Sequence, residues 1–102
     1  MTGRPSPSDP PPRQRVWLRI KGRVQGVGFR YAAVDEAMRL GLTGWVRNTP
    51  DGDVELVAEG DAERIRRIID WSHAGPPGAL VVDVDQQILP YAGAFDAFRI
   101  RR

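Results

Sequence analysis

The sequence predicts an α+β sandwich in which two helices cover one face of an antiparallel sheet and a short strand follows at the C-terminus. Three observations lead to this prediction. The 102 residues, of which 41% are hydrophobic, suffice for one domain. Segments in which apolar and polar residues alternate, as in strands, are interspersed with two segments of helical periodicity. Two of the strand segments flank a short turn that contains proline and glycine, which predicts a hairpin.

The first strand and the first helix are predicted on either side of a glycine-rich segment. Alternate positions between 16 and 20 are apolar, a period of two that predicts a strand. Glycines interrupt this pattern, so the segment 22–28 is expected to end the strand. Residues 29–40 predict a helix, and Gly41 suits its C-terminal cap. The apolar face of this helix is formed by Phe29, Ala33, Ala37 and Leu40.

The hairpin and the second helix come next. Residues 43–48 predict a strand, and the turn at 49–52, Thr-Pro-Asp-Gly, supplies a preset φ at proline and conformational freedom at glycine. The partner strand begins at Val54 and again alternates apolar with polar residues. Asp61 is a suitable N-cap for a helix over 62–72. The buried stripe of that helix is predicted to be Ala62, Ile65, Ile68 and Ile69.

Two further strands are predicted after a loop rich in glycine and proline, over residues 80–88 and 97–101. The order is therefore β-α-β-β-α-β with a short strand at the C-terminus. Two crossover units joined by a hairpin give the ferredoxin-like sandwich. Both helices are expected on the same face of the sheet, because both crossovers are right-handed.

Residues 1–14 differ in composition from the rest of the chain. They hold five of the nine prolines and no aromatic residue. Such a segment buries too little apolar surface to offset its ordering entropy, so we predict a disordered tail before a domain over residues 15–102. Residues 1–15 carry three arginines against one aspartate, and residues 16–102 carry 12 basic and 12 acidic residues. The net charge of +2 thus lies at the N-terminus and does not indicate a nucleic-acid-binding surface.

The chain contains no cysteine and one histidine. The absence of cysteine excludes disulfides, zinc ribbons, iron–sulfur clusters and thiol catalysis. With one histidine, neither a multi-histidine metal site nor a Ser–His–Asp triad is expected, and we predict no metal and no cofactor. No apolar run approaches the roughly 18 residues of a membrane-spanning helix, and the N-terminus lacks the apolar segment of a secretory signal. We therefore expect a cytoplasmic monomer that has no membrane contact.

The most informative segment, Gly-Arg-Val-Gln-Gly-Val-Gly-Phe-Arg at 22–30, lies between the first strand and the first helix. Its glycines let successive backbone N–H groups turn inward and form a nest for an anion. The helix N-terminus points at the same position, and Arg30 can donate two hydrogen bonds to a phosphate-like group. The segment lacks the Gly-Lys-Ser/Thr of a nucleotide-binding phosphate loop and the third glycine of a dinucleotide fingerprint. The residues alone leave open a second interpretation, in which the glycines only form a tight turn.

Two segments resemble the acylphosphatase family. Residues 21–30, Lys-Gly-Arg-Val-Gln-Gly-Val-Gly-Phe-Arg, are similar to its first signature. The segment 44–60, which begins Gly-Trp-Val-Arg-Asn, is similar to its second signature. The resemblance covers residues 15–101 and implies a ferredoxin-like fold, in agreement with the topology inferred above. It also implies an enzyme that hydrolyses the carboxyl–phosphate bond of small acyl phosphates to a carboxylate and inorganic phosphate.

The resemblance further implies roles for individual residues. Arg30 is expected to bind the phosphoryl group and Asn48 to orient the attacking water. Thr49 is expected either to hydrogen-bond near this water or to stabilise the turn. Inorganic phosphate and sulfate are expected to compete with the substrate for the loop. The phosphate-binding loop implied by the resemblance comprises Gln25, Gly26, Val27, Gly28, Phe29 and Arg30.

Two other functions share the predicted topology. RNA-recognition domains use aromatic side chains on their first and third strands to stack bases. Here the third strand offers Val57 between Glu55 and Glu59, and the two carboxylates would repel phosphates. A regulatory domain without turnover, like the N-terminal part of hydrogenase-maturation proteins, is the other alternative. Those proteins continue into cysteine-rich zinc segments, which this cysteine-free chain lacks.

Overall fold

The computed structural model describes residues 11–102. It confirms the predicted order of elements and the ferredoxin-like arrangement of helices and strands. The elements are β1 (Arg13–Arg23), α1 (Phe29–Arg39), β2 (Thr43–Asn48), β3 (Val54–Asp61), α2 (Ala62–Ser72), β4 (Leu80–Pro90) and β5 (Phe98–Ile100).

The five strands form one sheet in the order β4-β1-β3-β2-β5. The first four strands in this order are antiparallel neighbours, as predicted. The short β5 pairs in parallel with β2, so the sheet is mixed rather than wholly antiparallel. The direction of β5 follows from its connection, because residues 91–97 lead from the end of β4 at one edge of the sheet to the start of β2 at the other edge. A strand that begins there runs in the same direction as β2.

The first strand is longer than the sequence pattern predicted. Arg13 and Gln14, which composition assigned to the tail, belong to β1 because they pair with Asp61 and Gly60 of β3. At its other end β1 continues through Gly22, although the glycines were expected to end it. A Cβ at Gly22 would stand 2.1 Å from the carbonyl oxygen of Leu80, so glycine lets β4 approach closely at this point. The residues 1–10 of the predicted tail lie outside the described residues.

The core lies between the sheet and the two helices. The predicted apolar face of α1 is buried. In α2, Ile65 and Ile68 are buried as predicted, whereas Ile69 is only partly buried and Ser72 is fully enclosed. Each buried aliphatic side chain contributes about 1.5–3 kcal/mol, so β1 and β3 are held firmly at the centre of the sheet. Their core residues, all at 0% exposure, are Val16, Leu18, Ile20, Val54, Leu56 and Ala58.

Candidate active site

Two segments that are distant in the sequence meet at one end of the sheet. The first is the loop 24–28, which joins β1 to α1, and the second is the turn 49–53, which joins β2 to β3. They lie together because β1 and β2 both end where their common antiparallel neighbour β3 begins. The central strands therefore bring the loop and the turn to the same place.

The loop presents a row of backbone N–H groups that have no acceptor in the described part of the chain. Gly26 has a φ of +76° and Gly28 has a φ of +78°, and both are left-handed conformations that glycine adopts at little cost. Within residues 11–102, the amides of residues 25–31 donate no hydrogen bond, and the first amide that does is Ala32 N, to Gly28 O at 3.0 Å. Gly28 is the N-cap of α1 and has no side chain to satisfy these donors. The loop and the positive end of the helix dipole thus favour an anion at the same position.

Arg30 stands in the first turn of α1, next to these amides. It is partly buried, and it forms no ion pair or hydrogen bond with another side chain in the described part of the chain. Two other partly buried arginines form ion pairs: Arg19 pairs with Asp51 and Asp53, and Arg47 pairs with Glu55. The guanidinium of Arg30 therefore keeps its donors for a ligand.

Asn48 is the last residue of β2 and enters the site from the other segment. Its Oδ1 atom is buried and has no hydrogen-bond partner among residues 11–102. An unsatisfied buried acceptor costs about 1–3 kcal/mol, so a donor that reaches Oδ1 binds with a corresponding gain. The acceptor is suited to a water molecule, which can donate one hydrogen to Asn48 and keep a lone pair for attack.

Charged side chains hold the turn 49–53, which directly follows Asn48. Arg19 Nη2 donates to the Asp51 carboxylate at 2.6 and 2.7 Å, and Arg19 Nε donates to Asp53 Oδ2 at 2.8 Å. The hydrogen bond with Asp53 raises the pKa of Arg19. The hydrogen bond from the Thr49 hydroxyl lowers the pKa of Asp51. Both shifts favour the charged forms of Arg19 and Asp51, and the two side chains brace the turn from β1.

Several of the residues expected in the site have side chains that are engaged elsewhere. The Phe29 side chain is buried in the core, where its ring meets Trp71 edge-on at a centroid distance of 5.3 Å. Val27 packs partly buried against the core. Thr49 is buried, and its hydroxyl donates to Asp51 and accepts from Asp53 N at 3.0 Å. Val27 and Phe29 therefore offer the site only their backbone. Thr49 stabilises the turn, because its backbone N–H donates to Asp53 O and its carbonyl accepts from Gly52 N.

Gln25 also differs from its expected use. Its side-chain Nε2 donates to Thr49 O and to Asp53 O, each at 2.8 Å, so the amide faces the turn. Sequence reasoning missed this contact and the bracing by Arg19. The acidic turn residues Asp51 and Asp53 were a signal that a cation lies nearby, but the identity of that cation depends on the pairing of β1 with β3.

A metal centre and a membrane span would each need features of their own. Within residues 11–102, no three His, Cys, Asp or Glu side chains come together as ligands for a metal ion. No helix in that range is long and apolar enough to cross a membrane.

Comparison with known proteins identifies relatives that cover between 69% and 99% of the chain. The family model described as Acylphosphatase matches residues 16–100. The acylphosphatase of Aeropyrum pernix is 49% identical over 102 residues, which cover 99% of each chain. The acylphosphatase of Trichormus variabilis is 60% identical over 70 residues, 69% of each chain. The solved structure of an acylphosphatase from Coxiella burnetii is 38% identical, with a TM-score of 0.84 over 88% of this chain and 94% of that chain.

Proposed function

The chain belongs to the acylphosphatase family, and we propose that it hydrolyses the carboxyl–phosphate bond of small acyl phosphates at the site formed by the loop 24–28 and the turn 49–53. One observation carries this proposal. Donors on residues 25–31 and the Oδ1 acceptor of Asn48, none of which has a partner within residues 11–102, lie at the same end of the sheet. A phosphoryl group needs such donors, and an attacking water needs such an acceptor.

The donors bind the phosphoryl group of the substrate. The loop amides and the guanidinium of Arg30 donate hydrogen bonds to its three oxygens, which carry the negative charge. Charge-assisted bonds from arginine to phosphate oxygens are short and about twice as strong as neutral ones. Because phosphoryl transfer passes through a loose transition state with its charge on these oxygens, donors fixed in advance stabilise the transition state directly.

Asn48 supplies the nucleophile. Its Oδ1 accepts one hydrogen of a water molecule and directs the water oxygen at phosphorus, opposite the acyl oxygen. The bond from water oxygen to phosphorus forms as the bond from phosphorus to the acyl oxygen breaks, and the electron pair leaves with the carboxylate. The proton of the water passes to the phosphate product. A carboxylate is a weak base, so it departs without a general acid, and the short inventory of side chains suffices.

We further propose that the enzyme acts as a monomer without a metal or a cofactor, and that inorganic phosphate and sulfate compete for the loop. One chain contributes both segments of the site, so a second copy adds no group that the reaction needs. We place the reaction in the cytoplasm, the reducing compartment that a cysteine-free composition fits.

The proposal is tested by steady-state hydrolysis of an aromatic acyl phosphate. Arg30→Ala should raise the inhibition constant of phosphate and lower kcat, because Arg30 contacts the phosphoryl oxygens throughout the reaction. Asn48→Ala should lower kcat by about 10²–10³, the usual effect of one positioned transition-state hydrogen bond, and leave phosphate inhibition within a few-fold. Circular dichroism checks that both variants fold.

Arg23→Ala is the matched control, because Arg23 is an exposed arginine at the same end of β1. It should leave kcat near the wild-type value. An Asn48→Ala variant with wild-type kcat, or with a loss of phosphate affinity as severe as that of Arg30→Ala, would show that Asn48 does not hold the water.

A further inference from the structure

Gln25 joins the two segments of the site through its side chain. It precedes Gly26 at the start of the phosphate-binding loop, and its Nε2 donates to Thr49 O and Asp53 O. A primary amide has two N–H hydrogens, so both are used by the turn and none is left for a substrate. Both bonds measure 2.8 Å, which is within the optimal range for N–H···O hydrogen bonds.

The two carbonyls that accept these bonds belong to Thr49 and Asp53, the first and last residues of the turn 49–53. Thr49 directly follows Asn48, and Asp53 directly precedes β3. Asp53 O also accepts from Thr49 N at 2.9 Å. The side-chain amide of Gln25 and the backbone of Thr49 and Asp53 therefore form one hydrogen-bonded network. The side chain is partly buried, so water competes weakly for these bonds.

The loop and the turn have no other hydrogen-bonded connection. In the part of the chain that the structure describes, the two bonds from Gln25 are the only hydrogen bonds between residues 24–28 and residues 48–53. Arg19 braces the turn, but it does so from β1 and does not touch the loop. Gln25 is therefore the direct polar link between the phosphate donors and the residue that is proposed to hold the water.

We infer that Gln25 is a positioning residue, whose side chain fixes the separation between the bound phosphoryl group and the water held by Asn48. The inference rests on the roles proposed above for Arg30 and Asn48. A near-attack arrangement requires about 3–3.5 Å between water oxygen and phosphorus, and a displacement of about 1 Å lowers the rate by as much as 10². The paired strands bring the loop and the turn to the same end of the sheet, and the Gln25 amide is the direct hydrogen-bonded link that sets the separation between them.

The test begins with Gln25→Met, which keeps the length of the side chain and removes both donors. The expected result is a fall in kcat of about 10- to 100-fold with a phosphate inhibition constant within about three-fold of wild type. Gln25→Glu keeps the shape and sets a carboxylate against the two carbonyls, so its kcat should fall at least as far. Gln86→Met is the matched control, the same substitution at an exposed position of β4, and it should leave kcat unchanged. Thermal melting of every variant checks that the protein folds.

A double-mutant cycle with Asn48→Ala separates positioning from a merely structural effect. If Gln25 acts through Asn48, Gln25→Met should lower kcat little further in the Asn48→Ala background. Losses that multiply, or a Gln25→Met variant with unchanged kcat or with weakened phosphate binding, would overturn the inference and leave the proposed function intact. An Asn48→Ala variant with wild-type kcat would instead overturn the water-holding role, and the inference with it.

Discussion

Backbone amides are arranged for an anion at both ends of the sheet, but the two ends differ in what the amides meet. At one end, Glu59 of β3 is 1% exposed and accepts from Ala92 N at 2.8 Å and from Ala94 N at 3.0 Å. At the other end, the amides of residues 25–31 meet no acceptor within the described residues. The carboxylate of Glu59 accepts from the amides of Ala92 and Ala94, and we call this the filled end. The amides of residues 25–31 have no acceptor among the described residues, and we call this the open end.

The difference separates amides that serve the structure from amides that are available to the proposed ligand. The connection 91–97 is fastened to the sheet by Glu59, and arginines beside it rest on aromatic rings, with Arg15 5.2 Å from the centroid of Phe95. Arg30, beside the open amides, has no such partner in the described range. Loop geometry alone therefore does not identify a phosphate site. The two ends are distinguished by whether the chain itself supplies an acceptor for the amide N–H groups.

The largest expected effect on stability comes from removing the carboxylate of Glu59. Glu59→Ala removes two hydrogen bonds to a buried carboxylate and leaves two amides without acceptors, which should lower the free energy of unfolding by about 3 kcal/mol or more. Urea denaturation measures this change. Glu59→Gln keeps one acceptor oxygen and should be destabilised less. The kcat of both variants should stay near wild type because Glu59 lies at the other end of β3, and a fall in kcat without destabilisation would contradict the division between the two ends.

The next effect comes from filling the open end. Sulfate at 100 times its Kd should raise the free energy of unfolding by about 2.7 kcal/mol, because it binds the folded chain alone. Thermal melting in sulfate measures this gain after subtraction of the general salt effect, which Arg30→Ala reports. Glu59→Gln should show the full gain. An equal gain in Arg30→Ala and in wild type would mean that sulfate binds elsewhere.

The sequence predicted the elements of the fold and the open end, because both depend on local signals. Apolar periodicity set the strands and helices, and the glycines marked the loop before α1. These features follow from neighbours along the chain.

Contacts between segments that are distant in the sequence could not be predicted from local patterns. Gly22 was read as the end of a strand, yet it serves the close approach of β4. Glu59 was read as an outward carboxylate, yet the connection 91–97 covers it. The bonds of Gln25 to the turn depend on which strands are neighbours in the sheet. The roles of Arg30 and Asn48 remain predictions that the kinetic experiments test.

A smaller effect concerns Glu55, a carboxylate near the start of β3. Burial raises its pKa, but hydrogen bonds from Trp17 Nε1 at 2.7 Å and Arg47 Nε at 2.6 Å outweigh burial, so the pKa lies below the ordinary 4.5. A lowered pKa in the folded state adds stability above the ordinary pKa, and this stability is lost as the pH falls through the lower, folded value. Glu55→Gln should therefore cost about 1–2 kcal/mol at pH 7 and progressively less below pH 4.5.

Urea denaturation of wild type and Glu55→Gln at pH 7, 5 and 3.5 measures this dependence. Glu63, an exposed carboxylate on α2, provides a control through Glu63→Gln, which should change stability little at any of these pH values. A difference between Glu55→Gln and wild type that stays constant down to pH 3.5 would show that the carboxylate charge is not what stabilises β3 at this position.

The smallest expected effect tests whether the open end catalyses the reaction without a bound metal ion. Addition of EDTA should leave kcat and KM for an aromatic acyl phosphate unchanged, because in the proposed site Arg30 and the amides of residues 25–31 supply the donors for the phosphoryl oxygens. The carboxylate leaving group needs no further stabilisation, since it is a weak base when it departs. The measurement compares steady-state rates in EDTA with rates in excess Mg²⁺. If EDTA abolished turnover and a divalent ion restored it, the open end would be only part of the site, and the amides and Arg30 would act together with a bound cation.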